Sequence, residues 1–306
     1  MSKRDFLQLS DLTLEEARHV LGVARKLKAE PRGSRTTLFA GRSVAIVLEK
    51  ASTRTRVSFE VGAAHLGMHP VVLGVQGTQL GRGEPIRDTA RVLARYCDAI
   101  VFRTSTTERL REMATATVPV INALSDDGHP VQVLCDVLTV EEQLGSSIEG
   151  KRVAFVGDTS SNMARSWLEA APLFGFHLVL GGPHGYQPPQ AELARAGSHV
   201  TMVDQPARAA DDCDVVNTDV WTSMGQEADG DERTETFAGW TVNQAMLSRS
   251  KPGAIVLHCL PAHRGEEIDD ATIEGPRSRV WDQAENRLHV QKALLVWLLG
   301  AADRLG

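Results

Sequence analysis

The sequence has little of what marks metal-binding, secreted or membrane-spanning proteins. Its 306 residues include four cysteines, with no C-x-x-C pair and no cysteine–histidine spacing typical of a zinc site. No apolar run reaches the roughly 18 residues of a transmembrane helix, and the first residues lack the apolar segment of a signal peptide. These absences predict no bound metal and no membrane association, and they favour a cytoplasmic location with free thiols.

The sequence also lacks an excess of positive charge. It holds 33 lysines and arginines against 39 aspartates and glutamates, a formal net charge of −6. Proteins that bind nucleic acids or anionic membranes usually present a basic surface, so this balance argues against both kinds of partner. The composition is otherwise ordinary, with 42% hydrophobic and 24% charged residues, and the length suits two domains of about 150 residues each.

Short apolar runs rich in β-branched residues alternate with helical patterns along the whole sequence. Such alternation is typical of an α/β fold, and we predict two doubly wound parallel-sheet domains joined by interdomain helices. The predicted strands cover 43–48, 70–73, 99–102 and 118–122 in the first half, then 151–156, 177–180, 200–203, 215–218 and 254–258 in the second. The predicted helices cover about 14–27, 57–66, 88–96 and 131–144, with 145–150 as a linker and 226–235 as a charged surface loop.

The stretch E-K-A-S-T-R-T-R, residues 49–56, concentrates cations and hydroxyl groups directly after a predicted strand. Its cations are Lys50, Arg54 and Arg56, and its hydroxyl side chains are Ser52, Thr53 and Thr55. A turn entering a helix presents unpaired backbone N–H groups, and these groups favour an anion when hydroxyls and a guanidinium lie beside them. The pattern therefore predicts a phosphate site, and the alternative is a solvated turn with a Ser or Thr cap.

Polar side chains also follow other predicted strands. Arg103 ends the strand 99–102, and His129 and Gln132 are placed to share one face at the start of a helix. In the second half Asp219 follows a strand and suits an ammonium group. Cys259 precedes Leu260 and a proline, a bond that is a candidate for the cis isomer. The turn after strand 151–156 lacks G-x-G-x-x-G, which argues against a dinucleotide-binding enzyme.

Together these motifs resemble the aspartate/ornithine transcarbamylase family. The shared motifs are Ser52-Thr53-Arg54-Thr55-Arg56, Phe102-Arg103, His129-Pro130-x-Gln132, Asp219 with Ser223-Met224-Gly225, and His258-Cys259-Leu260-Pro261. The resemblance runs nearly end to end and includes residues 80–84, 88–93 and 285–287. The S-M-G and H-C-L-P motifs are similar to the ornithine branch of the family.

The resemblance implies a reaction and a set of partners. The expected reaction converts carbamoyl phosphate and L-ornithine into L-citrulline and phosphate, in arginine biosynthesis, without a cofactor and without a covalent enzyme intermediate. It also implies a homotrimer with shared active sites, because Gln79 matches a family position that reaches into a neighbouring subunit's site. The expected domains are 1–140 for carbamoyl phosphate, with the C-terminal helix 288–306 packing back onto it, and 141–287 for ornithine.

The resemblance also implies roles for individual residues. Those expected to take part in catalysis are Arg54, Arg103, His129, Asp219 and Cys259. Those expected to bind carbamoyl phosphate are Ser52, Thr53, Arg54, Thr55, Gln79, Arg103, His129, Gln132, Cys259, Leu260 and Arg287. Those expected to bind ornithine are Asn162, Asp219, Ser223 and Met224. The family commonly has Asn-Asn where this sequence has Ser161-Asn162, and the retained second position is the one expected to bind the ornithine α-carboxylate.

Two alternatives remain open at this point. A related transcarbamylase would use aspartate, putrescine or an acylated ornithine instead, and Ser223-Met224-Gly225 argues against these substrates. A catalytically silent relative would have lost a phosphate ligand, whereas Arg54, Arg103, His129 and Gln132 are all present.

Overall fold

The computed structural model describes residues 3–31, 34–75, 78–222 and 230–304. The chain divides into two compact units: unit 1 combines Met1–Leu134 with Glu285–Gly306, and unit 2 is Cys135–Ala284. Each unit is built on a parallel sheet flanked by helices, so the prediction of two parallel-sheet α/β domains is confirmed. Within the described ranges no helix has the length and apolar character that crossing a bilayer requires.

The unit 1 sheet has the strand order β2-β1-β3-β4, and all its pairs are parallel. Its strands are β1 (Ser43–Leu48), β2 (His69–Gly74), β3 (Ala99–Arg103) and β4 (Val120–Leu124). Its helices are α1 (Leu14–Ala29), α2 (Thr53–His65), α3 (Ile86–Tyr96) and α4 (Thr107–Met113), with short 3-10 turns at Leu9–Asp11, Gln79–Arg82 and Ala302–Arg304. Strands β1 and β3 are buried along almost their whole length, as expected of central strands covered on both faces.

The unit 2 sheet has the strand order β7-β6-β5-β8-β9, again entirely parallel. Its strands are β5 (Arg152–Val156), β6 (His177–Gly181), β7 (Val200–Val203), β8 (Val215–Thr218) and β9 (Ile255–His258). Its helices are α6 (Asn162–Phe174), α7 (Gln190–Ala196), α8 (Gly230–Thr236), α9 (Gln244–Leu247) and α10 (Asp270–Ile273), with 3-10 turns at Gly197–His199 and Pro206–Arg208. One face of this sheet packs on an aromatic core that includes Trp221, Phe237 and Trp240.

Two further helices contain the boundaries between the units. Helix α5 (Pro130–Leu144) includes the boundary after Leu134, and α11 (Val280–Leu298) includes the boundary after Ala284. Unit 1 is therefore discontinuous in sequence, whereas unit 2 is one continuous segment.

Local capping explains where several helices begin. At α1, Thr13 Oγ1 accepts from the Glu16 N–H at 3.2 Å and the Glu16 carboxylate accepts from the Thr13 N–H at 2.9 Å, the reciprocal pair of a capping box. At α2 the predicted start near residue 57 is wrong, because Ser52 acts as the N-cap and the helix begins at Thr53. The cationic stretch is therefore the first turn of a helix.

Two other local predictions need correction. The short helix α4 was not predicted, although Thr106 caps it by accepting from the Arg109 N–H at 3.3 Å. The prediction of a loop over 226–235 is wrong from residue 230 onward, where the chain forms helix α8. Burial of Arg233 and Phe237 stabilises this helix. Residues 226–229 lie outside the described residues.

Candidate active site

Each sheet reverses its strand order once, and residues that follow the flanking strands are candidates for binding. In unit 1 the chain passes from β1 outward to β2 and then to β3 on the other side of β1. In unit 2 the same kind of reversal separates β5 from β8. Open α/β sheets bind ligands beyond the carboxyl ends of the strands at such a reversal. The segments after β1 and β3, and those after β5 and β8, are therefore the places where ligands are expected.

The segment after β1 has the geometry of an anion site. Ser52 Oγ accepts a hydrogen bond from the Thr55 N–H at 3.2 Å and lies 3.0 Å from Thr55 Oγ1. Thr53 is exposed and Arg54 half-buried in the same first turn of α2. The unpaired N–H groups and the positive end of the helix dipole at such a turn attract negative charge.

A buried polar cluster surrounds the Thr55 hydroxyl. Arg287 Nη2 lies 3.0 Å from Thr55 Oγ1, and Arg103 Nη1 lies 3.4 Å from the same oxygen. Arg287 Nη1 also donates to Gln132 Oε1 at 2.5 Å. All four side chains are buried. Together with Arg54 and His129 they form what we call the cationic cluster, whose members come from α2, β3, α11 and the beginning of α5.

His129 is the titratable group of this cluster, and it is almost completely buried. Burial lowers the pKa of His129 well below its usual 6.5, and the charges of Arg287, Arg103 and Arg54 lower it further. At neutral pH the imidazole is therefore neutral and keeps one N–H donor. Three guanidinium groups beside a neutral donor suit a ligand that combines a phosphate with a polar carbonyl group.

Two other cations of the 49–56 stretch pair with neighbouring carboxylates. Lys50 Nζ lies 3.0 Å from Asp126 Oδ1, on the turn that leads to His129. Arg56 Nε lies 3.5 Å from Glu60 Oε2, one helical turn further along α2. These pairs agree with a supporting role for both residues.

In unit 2, Asp219 and Cys259 lie side by side at the ends of β8 and β9. Cys259 Sγ donates to Asp219 Oδ1 at 3.1 Å, and we call these two residues the thiol–carboxylate pair. Burial raises the pKa of Asp219, against the opposing influence of the hydrogen bond from Cys259. A partly buried carboxylate of this kind suits an ammonium or amine group, and its raised pKa makes it a better proton acceptor.

His258 fixes the turn that carries Cys259. Its Nδ1 accepts from the Leu260 N–H at 2.9 Å, so Nε2 carries the proton and donates to Glu267 Oε1 at 2.9 Å. Glu267 Oε1 also accepts from the His263 N–H at 2.7 Å. The Leu260-Pro261 bond is cis, and Leu260 has a φ of 61°, a left-handed conformation that is rare for leucine. The hydrogen bonds of His258 and Glu267 hold this turn in place.

Asp219, His258 and Cys259 are also of the residue types that bind metal ions. One ligand atom each from Asp219, His258 and Cys259 lies within 4.8 Å of the others. Both ring nitrogens of His258 already make hydrogen bonds, to the Leu260 N–H and to Glu267. Metal binding through this imidazole would break one of them, so the arrangement fits a positioning network better than a metal centre.

The remaining predicted residues lie in several places. Asn162 is half-buried at the first position of α6, after β5, where Ser161 Oγ caps the helix by accepting from the Ala164 N–H at 3.3 Å. Gln79 is exposed at the start of a 3-10 turn in unit 1. Ser223 and Met224 lie outside the described residues.

Sequence reasoning missed several residues that support these groups. Glu267, which holds His258, and Glu49, which follows β1, were not identified because an isolated acidic residue in a sequence gives no sign of its partner. Arg233 was treated as part of a surface loop, yet it is buried and donates to the Trp221 carbonyl at 2.6 Å and to the Asp158 carboxylate. Burial of an arginine cannot be read from its immediate neighbours in the sequence.

The fold and these groups define a class of protein: a two-domain α/β protein with a candidate anion site in one domain and a thiol–carboxylate pair in the other. Family models agree. Residues 4–142 match the carbamoyl-P binding domain of aspartate/ornithine carbamoyltransferase, and residues 149–298 match its Asp/Orn binding domain. The chain belongs to the aspartate/ornithine carbamoyltransferase family, and the predicted family resemblance is confirmed.

Individual relatives are similar over nearly the whole chain. The ornithine carbamoyltransferase of Sorangium cellulosum is 67% identical over 307 aligned residues, which cover 98% of this chain and 99% of the relative. The structure of the ornithine carbamoyltransferase from Pyrococcus furiosus has a TM-score of 0.92 at 45% identity and covers 98% of each chain. That of the anabolic enzyme from Campylobacter jejuni has a TM-score of 0.90 at 36% identity and covers 96% of this chain and 98% of its own.

Proposed function

We propose that this protein is an ornithine carbamoyltransferase, which transfers the carbamoyl group of carbamoyl phosphate to the δ-amine of L-ornithine. The observation that carries the proposal is the cationic cluster: three guanidinium groups that all act on His129 beside the first turn of α2. The family models and the relatives named above support the same reaction. The products are L-citrulline and phosphate.

Carbamoyl phosphate binds in unit 1 in this proposal. Its phosphate group takes the N-terminal turn of α2, with Ser52, Thr53, Arg54 and Thr55, and the Arg103 guanidinium. Anions at helix N-termini and beside Arg forks form strong, charge-assisted hydrogen bonds. The carbamoyl carbonyl accepts from Arg103, Thr55 and His129. The carbamoyl amide donates to Gln132, which Arg287 holds in place through a hydrogen bond of 2.5 Å.

Ornithine binds in unit 2, where Asp219 and Cys259 receive its side-chain amine. Asn162 binds the ornithine α-carboxylate at the start of α6, and Ser223 and Met224 are the further ligands that the family motif assigns. Leu260 contributes its backbone carbonyl to the carbamoyl group.

The chemical step is an attack of the neutral δ-nitrogen on the carbamoyl carbon. A carbon–nitrogen bond forms, the bond from that carbon to the bridging oxygen breaks, and the electron pair leaves with the phosphate. The nitrogen loses its proton in the process, and the raised pKa of Asp219 makes that carboxylate better able to accept it. Charge that develops on the carbonyl oxygen and on the phosphate is stabilised by donors already in position, so positioning and electrostatics supply most of the rate.

A substrate panel tests the function directly. The purified protein is incubated with carbamoyl phosphate and one of four amines: L-ornithine, putrescine, N-acetylornithine or L-aspartate. Ureido product and released phosphate are then measured. We expect turnover with ornithine at least about a hundredfold above the others, since specific polar sites reject analogues by such factors. Carbamoylation of putrescine or aspartate without ornithine turnover would contradict the assignment.

The Arg54→Gln variant tests the phosphate role. We expect its turnover to fall by at least about a hundredfold, the effect of removing one preorganised donor to developing charge. The matched control is Arg111→Gln on α4. The Arg111 side chain is exposed, and its Nη1 forms a long ion pair of 3.9 Å with Oε1 of the exposed Glu108. Equal activities of the two variants would show that Arg54 does not bind the phosphate.

The wider assignments follow from the same proposal. We assign residues 1–140 with helix 288–306 to carbamoyl phosphate and residues 141–287 to ornithine. We place the reaction in arginine biosynthesis, and the similar ornithine carbamoyltransferase of Campylobacter jejuni is an anabolic enzyme. We also place the protein in the cytoplasm, in keeping with four cysteines that form no disulfide bond in the described part of the chain.

A homotrimer is part of the proposal, with Gln79 reaching into the neighbouring subunit's site. Apolar side chains are exposed on two helices of unit 1: Val57 and Val61 on α2, and Val92 and Tyr96 on α3. Each pair is spaced four residues apart and so shares one helix face, which favours burial against a second copy of the chain. Val61→Asp should lower the mass found by light scattering, and an unchanged trimer mass would exclude this face from the interface.

A further inference from the structure

A carboxylate lies between two segments of the proposed phosphate site. Glu49 directly follows β1 and lies three positions before the capping residue Ser52. Its backbone N–H donates to the Arg103 carbonyl at 2.9 Å. Its side chain is only 10% exposed. A negative charge held this close to a site for a dianion works against binding unless it is neutralised.

Arg109 on α4 supplies the opposite charge. Its Nε donates to Glu49 Oε2 at 2.9 Å, and its Nη2 donates to Glu49 Oε1, so the pair is bidentate. The fully buried Thr104 adds a hydroxyl that donates to Glu49 Oε2. A bidentate arginine fixes a carboxylate in direction as well as in charge, which a lysine cannot do.

The contacts of Glu49 connect both groups of phosphate ligands. On one side the residue continues into the first turn of α2. On the other, its side chain bonds to Thr104, the neighbour of Arg103, and its backbone bonds to Arg103 itself. Thr104 in turn donates its N–H to the Leu124 carbonyl at 3.0 Å, at the end of β4. Carboxyl ends of β1, β3 and β4 are therefore held together around one carboxylate.

We propose that Arg109 is a positioning residue for carbamoyl phosphate, which acts through Glu49 by neutralising that carboxylate between the segments of Ser52 and Arg103. The proposal rests on the function proposed above. It predicts that Arg109 affects binding of carbamoyl phosphate and free phosphate, because it acts on the anion site, and leaves ornithine binding almost unchanged.

Steady-state kinetics of Arg109→Gln test the proposal, with Arg111→Gln as the control on the same helix. We expect the KM for carbamoyl phosphate and the inhibition constant of inorganic phosphate to rise about tenfold, as expected of one uncompensated charge in a partly screened place. The kcat and the KM for ornithine should change less than about twofold. Arg111→Gln should match the wild type in all four constants.

Two more variants separate charge from folding. In Glu49→Gln with Arg109→Gln both charges are gone, and we expect the KM for carbamoyl phosphate to return to within about threefold of the wild-type value. Arg109→Lys keeps the charge but loses the bidentate contact, so its KM should lie between those of Arg109→Gln and the wild type. A merely structural role would make the double variant at least as impaired as Arg109→Gln, and that ranking would overturn the proposal.

The outcomes also distinguish this proposal from the function it rests on. If the wild type does not turn over carbamoyl phosphate with any amine, the proposed function fails. If the wild type is active and Arg109→Gln has the kinetics of Arg111→Gln, only the role of Arg109 fails.

Discussion

The buried, neutral state of His129 makes the stability of the protein sensitive to acid. Its pKa in the folded protein lies well below the 6.5 of an unfolded chain, because of burial and the charges of three arginines. At any pH between those two values the unfolded chain binds more protons than the folded one. The stability contributed by the neutral imidazole is therefore complete above pH 6.5 and is lost as the pH falls below it.

The size of this effect follows from proton linkage for a single group. Between pH 7.5 and pH 5.5 an unfolded histidine takes up nearly one proton that the folded His129 does not. This difference lowers the free energy of unfolding by about 1.4 kcal/mol. Removal of the imidazole in His129→Gln or His129→Asn abolishes this pH-dependent contribution to the free energy of unfolding.

Urea unfolding at fixed protein concentration measures the effect for the wild type and both variants at the two pH values. The wild type should lose about 1.4 kcal/mol more than either variant between pH 7.5 and pH 5.5. NMR of carbon-labelled histidines provides a direct check, since the resonance missing from both variants should not titrate in this range. Equal losses in all three proteins, or a His129 resonance that titrates near 6.5, would refute the reasoning.

Other predictions concern stability in unit 2. Asn217 is fully buried, and among the described residues neither of its side-chain amide atoms has a hydrogen-bond partner. Asn217→Leu should therefore raise the free energy of unfolding by about 1–3 kcal/mol, measured with urea. Asp158→Asn leaves the buried Arg233 without its charge partner and should lower the free energy of unfolding by about 3–5 kcal/mol. Gly182→Ala would bring a Cβ within 2.4 Å of the Gly157 carbonyl oxygen and should lower the melting temperature, whereas an unchanged value would contradict the close contact.

Most of the strands could be predicted from the sequence, because buried parallel strands are short apolar runs. The strand 215–218, for example, was predicted with the bounds that β8 has. The ends of helices were harder to predict than the strands. The start of α2 was placed too late because Ser52 and Thr53 were read as a loop, whereas the hydrogen bond from the Thr55 N–H makes Ser52 the N-cap and Thr53 the first residue of the helix.

The candidate site was predictable where a motif places several polar residues together, as in the stretch 49–56. It was not predictable where a residue acts through a distant partner. Arg109 is 60 positions from Glu49 in the sequence, and only the packing of α4 beside β1 and β3 brings the two together. The same is true of Asp158 and Arg233, 75 positions apart.

The discontinuity of unit 1 has a consequence for synthesis on the ribosome. Unit 2 is complete once residue 284 has been made, so all its strands can pair while the chain is still growing. Unit 1 includes Glu285–Gly306, and Arg287 contacts Thr55 across 232 positions of sequence. The cationic cluster therefore requires Arg287, which is made after every strand of both sheets, so these strands can pair before the cluster is complete.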